Sequence, residues 1–302
     1  MGTVYALASG KGGVGKTTIT ANLGISLAQR GKKVLLVDAD IAMANLSLLL
    51  GMHSSPITLH DVLLGESSLQ DAIYDGPGGI FFVPSGLSFE SYRRVDSARL
   101  AGVIASVKDQ FDYILLDAPA GIETNVMSAL SASDNVLLIT MPVSPSIADV
   151  LKTKIVAERL GAKPIGIIVN FVRNEKGEVL PEDIMKMLEL PIYGLVPYDN
   201  DIRKSFMREK IMPTILFKPN SKAVAAINII AEKLTGVQTT IKIKKKGPIT
   251  RFLNKLFSIF KRKPKQPLEE KIGKKRVKEK IEESFDEEVL PEINEDNIEM
   301  EE

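Results

Sequence analysis

The stretch VYALASGKGGVGKTT, residues 4–18, joins an apolar run to a glycine-rich loop and then to the start of a helical pattern. From Gly10 onward it matches the pattern G-x-x-x-x-G-K-[ST] in the strand–loop–helix context that this pattern requires. Glycines let consecutive backbone N–H groups turn toward phosphate oxygens, and the helix N-terminus adds the positive end of its dipole. The stretch therefore predicts a phosphate-binding loop.

Three side chains of this loop have roles that follow from phosphate chemistry. Lys16 is expected to bridge the β- and γ-phosphates of ATP as their main countercharge. Thr17 is expected to place its hydroxyl on Mg²⁺, and Thr18 to bond the α-phosphate. The rest of the loop is expected to line the nucleotide: Gly10, Lys11, Gly12, Gly13, Val14 and Gly15.

Short apolar runs alternate with helical patterns through most of the chain. The runs are rich in β-branched residues, and several are apolar on both faces, which is typical of strands covered by helices on each side. They span residues 4–8, 34–37, 80–83, 113–116, 136–140, 165–169 and 192–196, and the helical patterns span 17–29, 98–108, 147–160, 182–189 and 222–234. This alternation predicts an α/β fold with a doubly wound, mostly parallel sheet, which binds ligands beyond the carboxyl ends of its strands.

Carboxylates follow two of the predicted strands. Asp38 and Asp40 end the run VLLVDAD, and Asp117 ends the run FDYILLD. An aspartate at the carboxyl end of a buried strand is the Walker B position, which binds Mg²⁺, usually through water. The alternative is that these carboxylates are solvated groups that close their strands.

The loop and the segment after Asp117 resemble one family. KGGVGKTT places a second lysine, Lys11, at the start of the loop, as in the deviant Walker A ATPases that include MinD and ParA. The string DAPAGIE, which begins at Asp117, is similar to MinD rather than to ParA. The resemblance covers about residues 1–237 and implies the P-loop NTPase fold, Mg²⁺-dependent ATP binding and slow ATP hydrolysis.

The resemblance also implies roles for individual residues. Lys11 would reach across a nucleotide-sandwiched homodimer to the partner's phosphates, as an arginine finger does in trans. Asp40 would orient or activate the attacking water, while Asp38 would support the Mg²⁺ and switch region. With Lys16, these assignments make Lys11 and Asp40 the expected catalytic residues, and Asn45 matches a position near the dimer interface.

Two weaker elements would complete the nucleotide site. Asn170 ends the run IGIIVN, and Pro197 and Asp199 follow the run IYGLV. In relatives, an Asn after one strand and a Pro-x-Asp after the next frame the adenine ring. Each could equally be a turn residue that ends its strand.

The charge distribution changes after residue 241. Residues 242–280 carry 16 Lys and Arg against three Glu, residues 281–302 carry 11 Asp and Glu, and residues 1–241 keep 23 basic and 24 acidic residues. Appended charge blocks of this kind are usually disordered tails. The predicted organisation is an ATPase domain at 1–240, a basic linker with an amphipathic helix at 241–263, and a charged tail at 264–302.

The sequence ITRFLNKLFSIFKRK, residues 249–263, has the pattern of a short amphipathic helix. At about 22 Å it is too short to cross a hydrocarbon core of about 30 Å, so it is expected to lie in the membrane interface. It resembles the C-terminal membrane-targeting helix of MinD, although here about 39 further residues follow. A helix docked on its own body is the alternative. The residues expected to insert are Phe252, Leu253, Leu256, Phe257 and Phe260.

Composition narrows the functional classes. The chain has no cysteine, which excludes disulfides, iron–sulfur clusters and Cys-ligated zinc. No signal peptide and no membrane-spanning run is read.

The expected protein is a cytoplasmic, MinD-like positioning ATPase that dimerises on ATP and is peripheral at the inner face of the cell membrane in that state. An activating protein would stimulate its hydrolysis. The alternative is a ParA-like partitioning ATPase whose basic block contacts nucleic acid.

Overall fold

The structure is a computed structural model that describes residues 2–41, 44–52, 55–86, 95–208 and 211–236. These residues lie in a compact unit that spans Met1–Lys245. A second unit, Lys246–Glu302, contains none of them. The predicted helix at 249–263, with Phe252, Leu253, Leu256, Phe257 and Phe260, and the predicted tail at 264–302 therefore lie outside the described residues.

The centre of the fold is an eight-stranded sheet in the order β3-β4-β2-β5-β1-β6-β7-β8. All neighbouring strands are parallel except β3 and β4, which pair antiparallel at one edge. The inner strands are almost wholly apolar because helices cover both faces of the sheet. The strands are β1 (Thr3–Ser9), β2 (Val34–Asp38), β3 (Tyr74–Asp75), β4 (Phe81–Val83), β5 (Tyr113–Ala120), β6 (Asn135–Thr140), β7 (Lys163–Val172) and β8 (Ile192–Pro197).

The α-helices connect these strands. They are α1 (Lys16–Ala28), α2 (Leu46–Leu50), α3 (Leu59–Leu64), α4 (Leu100–Ala105), α5 (Thr124–Ser131), α6 (Ser144–Arg159), α7 (Pro181–Leu188), α8 (Asn200–Phe206), α9 (Thr214–Phe217) and α10 (Lys222–Thr235). Local signals fix several ends: the Ser221 hydroxyl accepts the Val224 N–H at the start of α10, and Gly236 ends it in the left-handed region. No helix in the described part of the chain is long and apolar enough to span a bilayer.

The predicted doubly wound sheet is confirmed, and each of the seven predicted strands is present. Some local features differ from the prediction, and the following are two of them. The edge strand β3 was not predicted because two residues carry no readable periodicity. The helix expected over 98–108 is a shorter α4 flanked by 3₁₀ turns at Ser97–Arg99 and Lys108–Gln110. The Ser106 hydroxyl donates to the Val103 carbonyl, a local bond that competes with a continuing helix.

Candidate nucleotide site

The loop between β1 and α1 is built for close approach of a ligand. Gly13 and Gly15 have φ values of 77° and 88°, a left-handed conformation that favours glycine. A side-chain carbon added at Gly12 or Gly13 would meet no described atom within 4 Å, so this stretch of backbone faces open space. Lys16 and Thr17 follow in the first turn of α1, whose N-terminus has no capping side-chain bond within the described residues. The N–H groups of this turn are therefore available to an anion.

Side chains and backbone groups from three elements hold the loop. The Ser9 hydroxyl donates to the Lys11 carbonyl at 3.0 Å, and the Gly121 N–H donates to the Ser9 carbonyl at 3.0 Å. The Asn170 amide, from β7, donates to the Val14 carbonyl at 2.8 Å. Gly10 packs so closely on α6 that an added side-chain carbon would lie 2.2 Å from the Asp149 carbonyl carbon. The loop is preorganised rather than free to rearrange.

Two buried carboxylates lie side by side beyond the loop. Asp38 is the last residue of β2 and is the register partner of Asp117 in β5, and both are at most 1% exposed. Asp117 does not end its strand as predicted, because β5 continues three residues further to Ala120. Burial raises the pKa of Asp38 well above its usual range, and the charge of Asp117 raises it further. Burial also raises the pKa of Asp117, although Lys16 opposes this shift. Two carboxylates so placed favour the binding of a cation, which would lie between the carboxylates on one side and the phosphates of a nucleotide on the other.

Each carboxylate has defined hydrogen-bond partners. Asp38 accepts the Leu46 N–H at 3.0 Å and the Asp40 N–H at 3.3 Å. Asp117 accepts the Thr20 hydroxyl at 3.0 Å, and the side chains of Thr17 and Thr20 lower the pKa of Asp117 against the larger effect of burial. Thr20 was not predicted, but it lies four residues after Lys16 and so shares its helix face. That spacing is the signal that could have identified it.

The donor set at this edge fits Mg²⁺. The described residues hold no group of three or more His, Cys, Asp or Glu that would cage a metal by themselves. Mg²⁺ does not need such a cage, because it keeps several waters and takes one or two carboxylates together with substrate phosphates. Asp38 and Asp117 would supply the carboxylates, and Thr17, in the first turn of α1, would supply a hydroxyl. Asp40 lies one residue past Ala39 and is half-buried.

The residues expected at the adenine ring lie at the carboxyl ends of β7 and β8. Asn170 is 3% exposed, and its amide contacts the phosphate loop. It therefore supports the loop, independently of any contact with the adenine ring. Asp199 accepts the Asp201 N–H at 2.9 Å and the Ala223 N–H at 3.1 Å, which caps α8 and ties it to α10. Pro197 is buried at the end of β8. Asn170 does not end its strand as predicted, because β7 continues to Val172.

An aromatic and basic cluster at this end of the sheet was not predicted. Phe171 has a φ of 58° and its ring centroid lies 6.3 Å from that of Tyr198. The Arg173 guanidinium carbon lies 3.8 Å from the centroid of the Tyr198 ring. The cluster is adjacent to the loop, since a side-chain carbon added to Gly15 would lie 3.6 Å from the Phe171 ring. Tyr198 lies 25 residues after Arg173, so no local sequence pattern signalled this contact.

Comparisons with known proteins agree with this geometry. Residues 5–212 match the model of the CobQ/CobB/MinD/ParA nucleotide binding domain. An ATP-binding protein of Methanocaldococcus jannaschii is 42% identical over 259 residues, which are 85% of this chain and 97% of that protein.

Two solved structures of the same architecture are also similar. The cell division ATPase MinD of Pyrococcus furiosus is 38% identical with a TM-score of 0.75, and the match covers 79% of this chain and 100% of that one. The septum site-determining protein MinD of Pyrococcus horikoshii, solved in complex with Mg-ADP, is 36% identical with a TM-score of 0.75. That match covers 80% of this chain and 100% of the other.

Proposed function

Since this chain belongs to the MinD family of ParA-like P-loop ATPases, we propose that it is a positioning ATPase that dimerises on Mg-ATP and associates with membranes. The chain binds ATP with Mg²⁺ and hydrolyses it, as the family does. In the proposal, hydrolysis is slow until an activating protein stimulates it, and each turnover releases the dimer and its membrane contact.

The observation that carries the proposal is the convergence of one loop and three aspartates. The phosphate loop with Lys11 and Lys16 lies beside the paired Asp38 and Asp117, and Asp40 follows directly after the strand that ends at Asp38. Buried carboxylates beside a lysine-bearing phosphate loop are a costly arrangement for a purely structural region. They are expected where a nucleotide and its cation compensate the charge.

The residues divide the work in the following way. Lys16 binds the β- and γ-phosphates, and the N–H groups of Gly10, Gly12, Gly13, Val14 and Gly15 line the triphosphate with Thr18 on the α-phosphate. Thr17, Asp38 and Asp117 would hold Mg²⁺, which supplies charge neutralisation on the phosphates when bound. Asp40 orients the attacking water. Asn170, Pro197 and Asp199 frame the base, with Asn170 also supporting the loop.

Lys11 is assigned to the dimer. Its side chain starts at the solvent-facing beginning of the loop, next to the exposed Gly12 and Gly13. From there it would reach the phosphates bound by the partner and stabilise the charge that develops there. The site of one protomer is then incomplete without the second, which makes dimerisation a condition of hydrolysis.

Two substitutions separate assembly from hydrolysis. Lys11→Ala should lose both the ATP-dependent dimer and ATP turnover, because one residue serves both steps. Asp40→Ala should dimerise with ATP and remain dimeric, because only the water step is removed. Sedimentation of both variants with ATP and with ADP measures this. A monomeric Asp40→Ala protein in ATP would contradict the division of roles.

Membrane association is proposed for residues 249–263. One interfacial helix with phenylalanines on one face and basic residues on the other binds anionic lipid weakly. Two helices on one dimer bind far better through effective concentration, so binding should require ATP. Phe257→Glu should eliminate cosedimentation with anionic liposomes and leave ATP affinity unchanged, whereas Asn254→Gln, on the polar side, should retain it.

The same assay tests the alternative. A ParA-like partitioning ATPase would use the basic block at 242–280 as a phosphate contact surface and cosediment with DNA rather than with liposomes. ATP-dependent binding to DNA that survives deletion of residues 248–263, without binding to liposomes, would favour that alternative. The process that the ATPase positions, whether division, flagellar or chemotaxis-array placement, is a further property to be tested in cells.

A further inference from the structure

His60 is a buried histidine on α3, away from the phosphate loop. It is 2% exposed and sits in the first turn of a helix whose start is firmly held. Asp61 accepts both the N–H and the hydroxyl of Thr58 in a capping box, at 2.6 and 2.7 Å. The Leu59 N–H donates to the Pro84 carbonyl at 2.8 Å, which ties α3 to the segment that follows β4. The backbone that carries the His60 ring is therefore fixed on two sides.

The ring contacts two other segments of the chain. Its Nε2 atom lies 3.0 Å from the Ile41 carbonyl and 3.5 Å from the Ser85 hydroxyl. On the other edge of the ring, Nδ1 packs against Gly86, where an added side-chain carbon would lie 2.3 Å from that nitrogen. The ring therefore fills the space between the segment after β2 and the segment after β4.

The contacts determine where the single proton of the neutral ring lies. A carbonyl oxygen can only accept, so Nε2 carries the hydrogen that is donated to Ile41. Burial lowers the pKa of His60, which keeps the imidazole neutral near pH 7. Nδ1 is then an acceptor, and it is buried without a hydrogen-bond partner among the described residues.

The Ile41 carbonyl belongs to the segment that carries Asp40. This segment is held near its beginning by Asp38, whose carboxylate accepts the Asp40 N–H at 3.3 Å. His60 holds it again one residue after Asp40. We propose that His60 is a positioning residue for Asp40, fixing through the Ile41 carbonyl the backbone from which that carboxylate reaches its water. This inference rests on the proposed role of Asp40.

A plain space-filling role explains the ring less well. A buried nitrogen without a partner destabilises the folded protein, a cost that a leucine or methionine of similar size would avoid. What the imidazole offers in return, and an apolar side chain cannot, is a donor from a rigid ring to Ile41. The hydrogen bond, rather than the volume, is the property that the proposal assigns to function.

The test compares a variant without the donor and a variant with it. His60→Leu removes the donor, and His60→Gln returns an N–H near the position of Nε2. His60→Leu should lower kcat about tenfold, because small displacements of a catalytic group are costly. Its ATP affinity should stay within about twofold of the wild type, since no phosphate contact of the loop is touched. His60→Gln should recover most of kcat. His60→Met serves the same purpose as His60→Leu if the latter does not fold.

Asp40→Ala, measured in parallel, distinguishes a wrong role for Asp40 from a wrong role for His60. If Asp40→Ala turns over normally, the proposed role of Asp40 is wrong, and the inference falls with it. If Asp40→Ala is inactive but His60→Leu and His60→Met keep wild-type kcat, only the inference about His60 is overturned. Equal loss in the Leu and Gln variants would also overturn it, because the ring would then act through packing and not through its donor.

Discussion

The residues at the carboxyl ends of the strands form two groups, a central edge and an outer edge, that differ in how much negative charge they bury. At the central edge, where β1, β2 and β5 end, Asp38 and Asp117 are buried next to each other and burial raises the pKa of both. At the outer edge, where β7 and β8 end, the side chains of Asn170 and Asp199 form hydrogen bonds with backbone groups of the same chain. The central edge is completed by a ligand, whereas the outer edge is largely complete in the protein alone.

This difference predicts different consequences for mutations at the two edges. A change at the central edge should act on ligand binding and turnover while the fold survives. A change at the outer edge should act on stability first, and on the nucleotide only through the elements that it holds. The following substitutions test the contrast, beginning with the largest expected effect.

Lys16→Ala should lower ATP turnover by at least about 100-fold, because the phosphates lose a preorganised countercharge. Its free energy of unfolding without nucleotide should fall by no more than about 1 kcal/mol, because Lys16 is half-exposed and its attraction to the Asp117 carboxylate is partly screened by solvent. Steady-state ATPase assays and chemical denaturation measure the two quantities. Lys152→Ala, an exposed lysine on α6, is the matched control and should leave both unchanged. Tight nucleotide binding with normal turnover in Lys16→Ala would contradict the assignment of the loop.

Asp199→Ala should destabilise the protein by about 1–3 kcal/mol, because it removes the cap of α8 and the bond to the Ala223 N–H together. Asp199→Asn keeps one acceptor oxygen and should lose about half as much. Thermal and chemical denaturation measure the loss in nucleotide-free protein. A fully stable Asp199→Ala variant that binds ATP weakly would reverse the contrast, since Asp199 would then act on the base and not on the fold.

The sequence predicted the central edge better than the outer edge for a physical reason. The phosphate loop, Asp38 and Asp117 each lie directly after an apolar run, so their approximate positions follow from runs that the pattern alone reveals, although β5 continues past Asp117 to Ala120. Parallel strands then bring these ends together without further information. The seven main strands were predicted for the same reason, since buried β-branched runs are distinctive.

The features that were missed depend on contacts between distant residues. Asn170 contacts Val14 across 156 positions, and the Asp199 bond to Ala223 spans 24, so neither appears in any local pattern. His60 was not predicted to have a role, because its partner is a backbone carbonyl that no sequence displays. Short helices such as α2, α8 and α9 were missed because they are too brief to show a helical period.

Asp117→Asn tests whether the central edge carries uncompensated charge. Asparagine can still accept the Thr20 hydroxyl, but it removes a buried negative charge beside Asp38. The nucleotide-free variant should gain about 1 kcal/mol in its free energy of unfolding, because the charge is costly to bury. Its ATP turnover should fall because a predicted Mg²⁺ ligand is lost. Asp109→Asn, which removes an exposed carboxylate, should change neither quantity. A destabilised Asp117→Asn variant would show that Lys16 already compensates this charge.

The smallest expected effect concerns pH and tests whether the His60 ring is held in its neutral state. Burial lowers the pKa of His60, against smaller opposing effects of the Ile41 carbonyl and the Asp61 carboxylate. Near pH 6.5 the unfolded chain therefore binds a proton at this residue that the native protein does not. Stability due to neutral His60 is present above that pH and is lost as the pH falls toward the pKa of the native state.

His60→Gln has no such proton to bind, so the wild type should lose more of its free energy of unfolding than the variant between pH 7.5 and pH 5.5, roughly the range over which a histidine titrates. The chain's other histidine, His53, is present in both proteins, so its titration cancels in the comparison. Chemical denaturation at several pH values measures the difference, and parallel pH dependences would mean that His60 takes up its proton as readily in the native state as in the unfolded one.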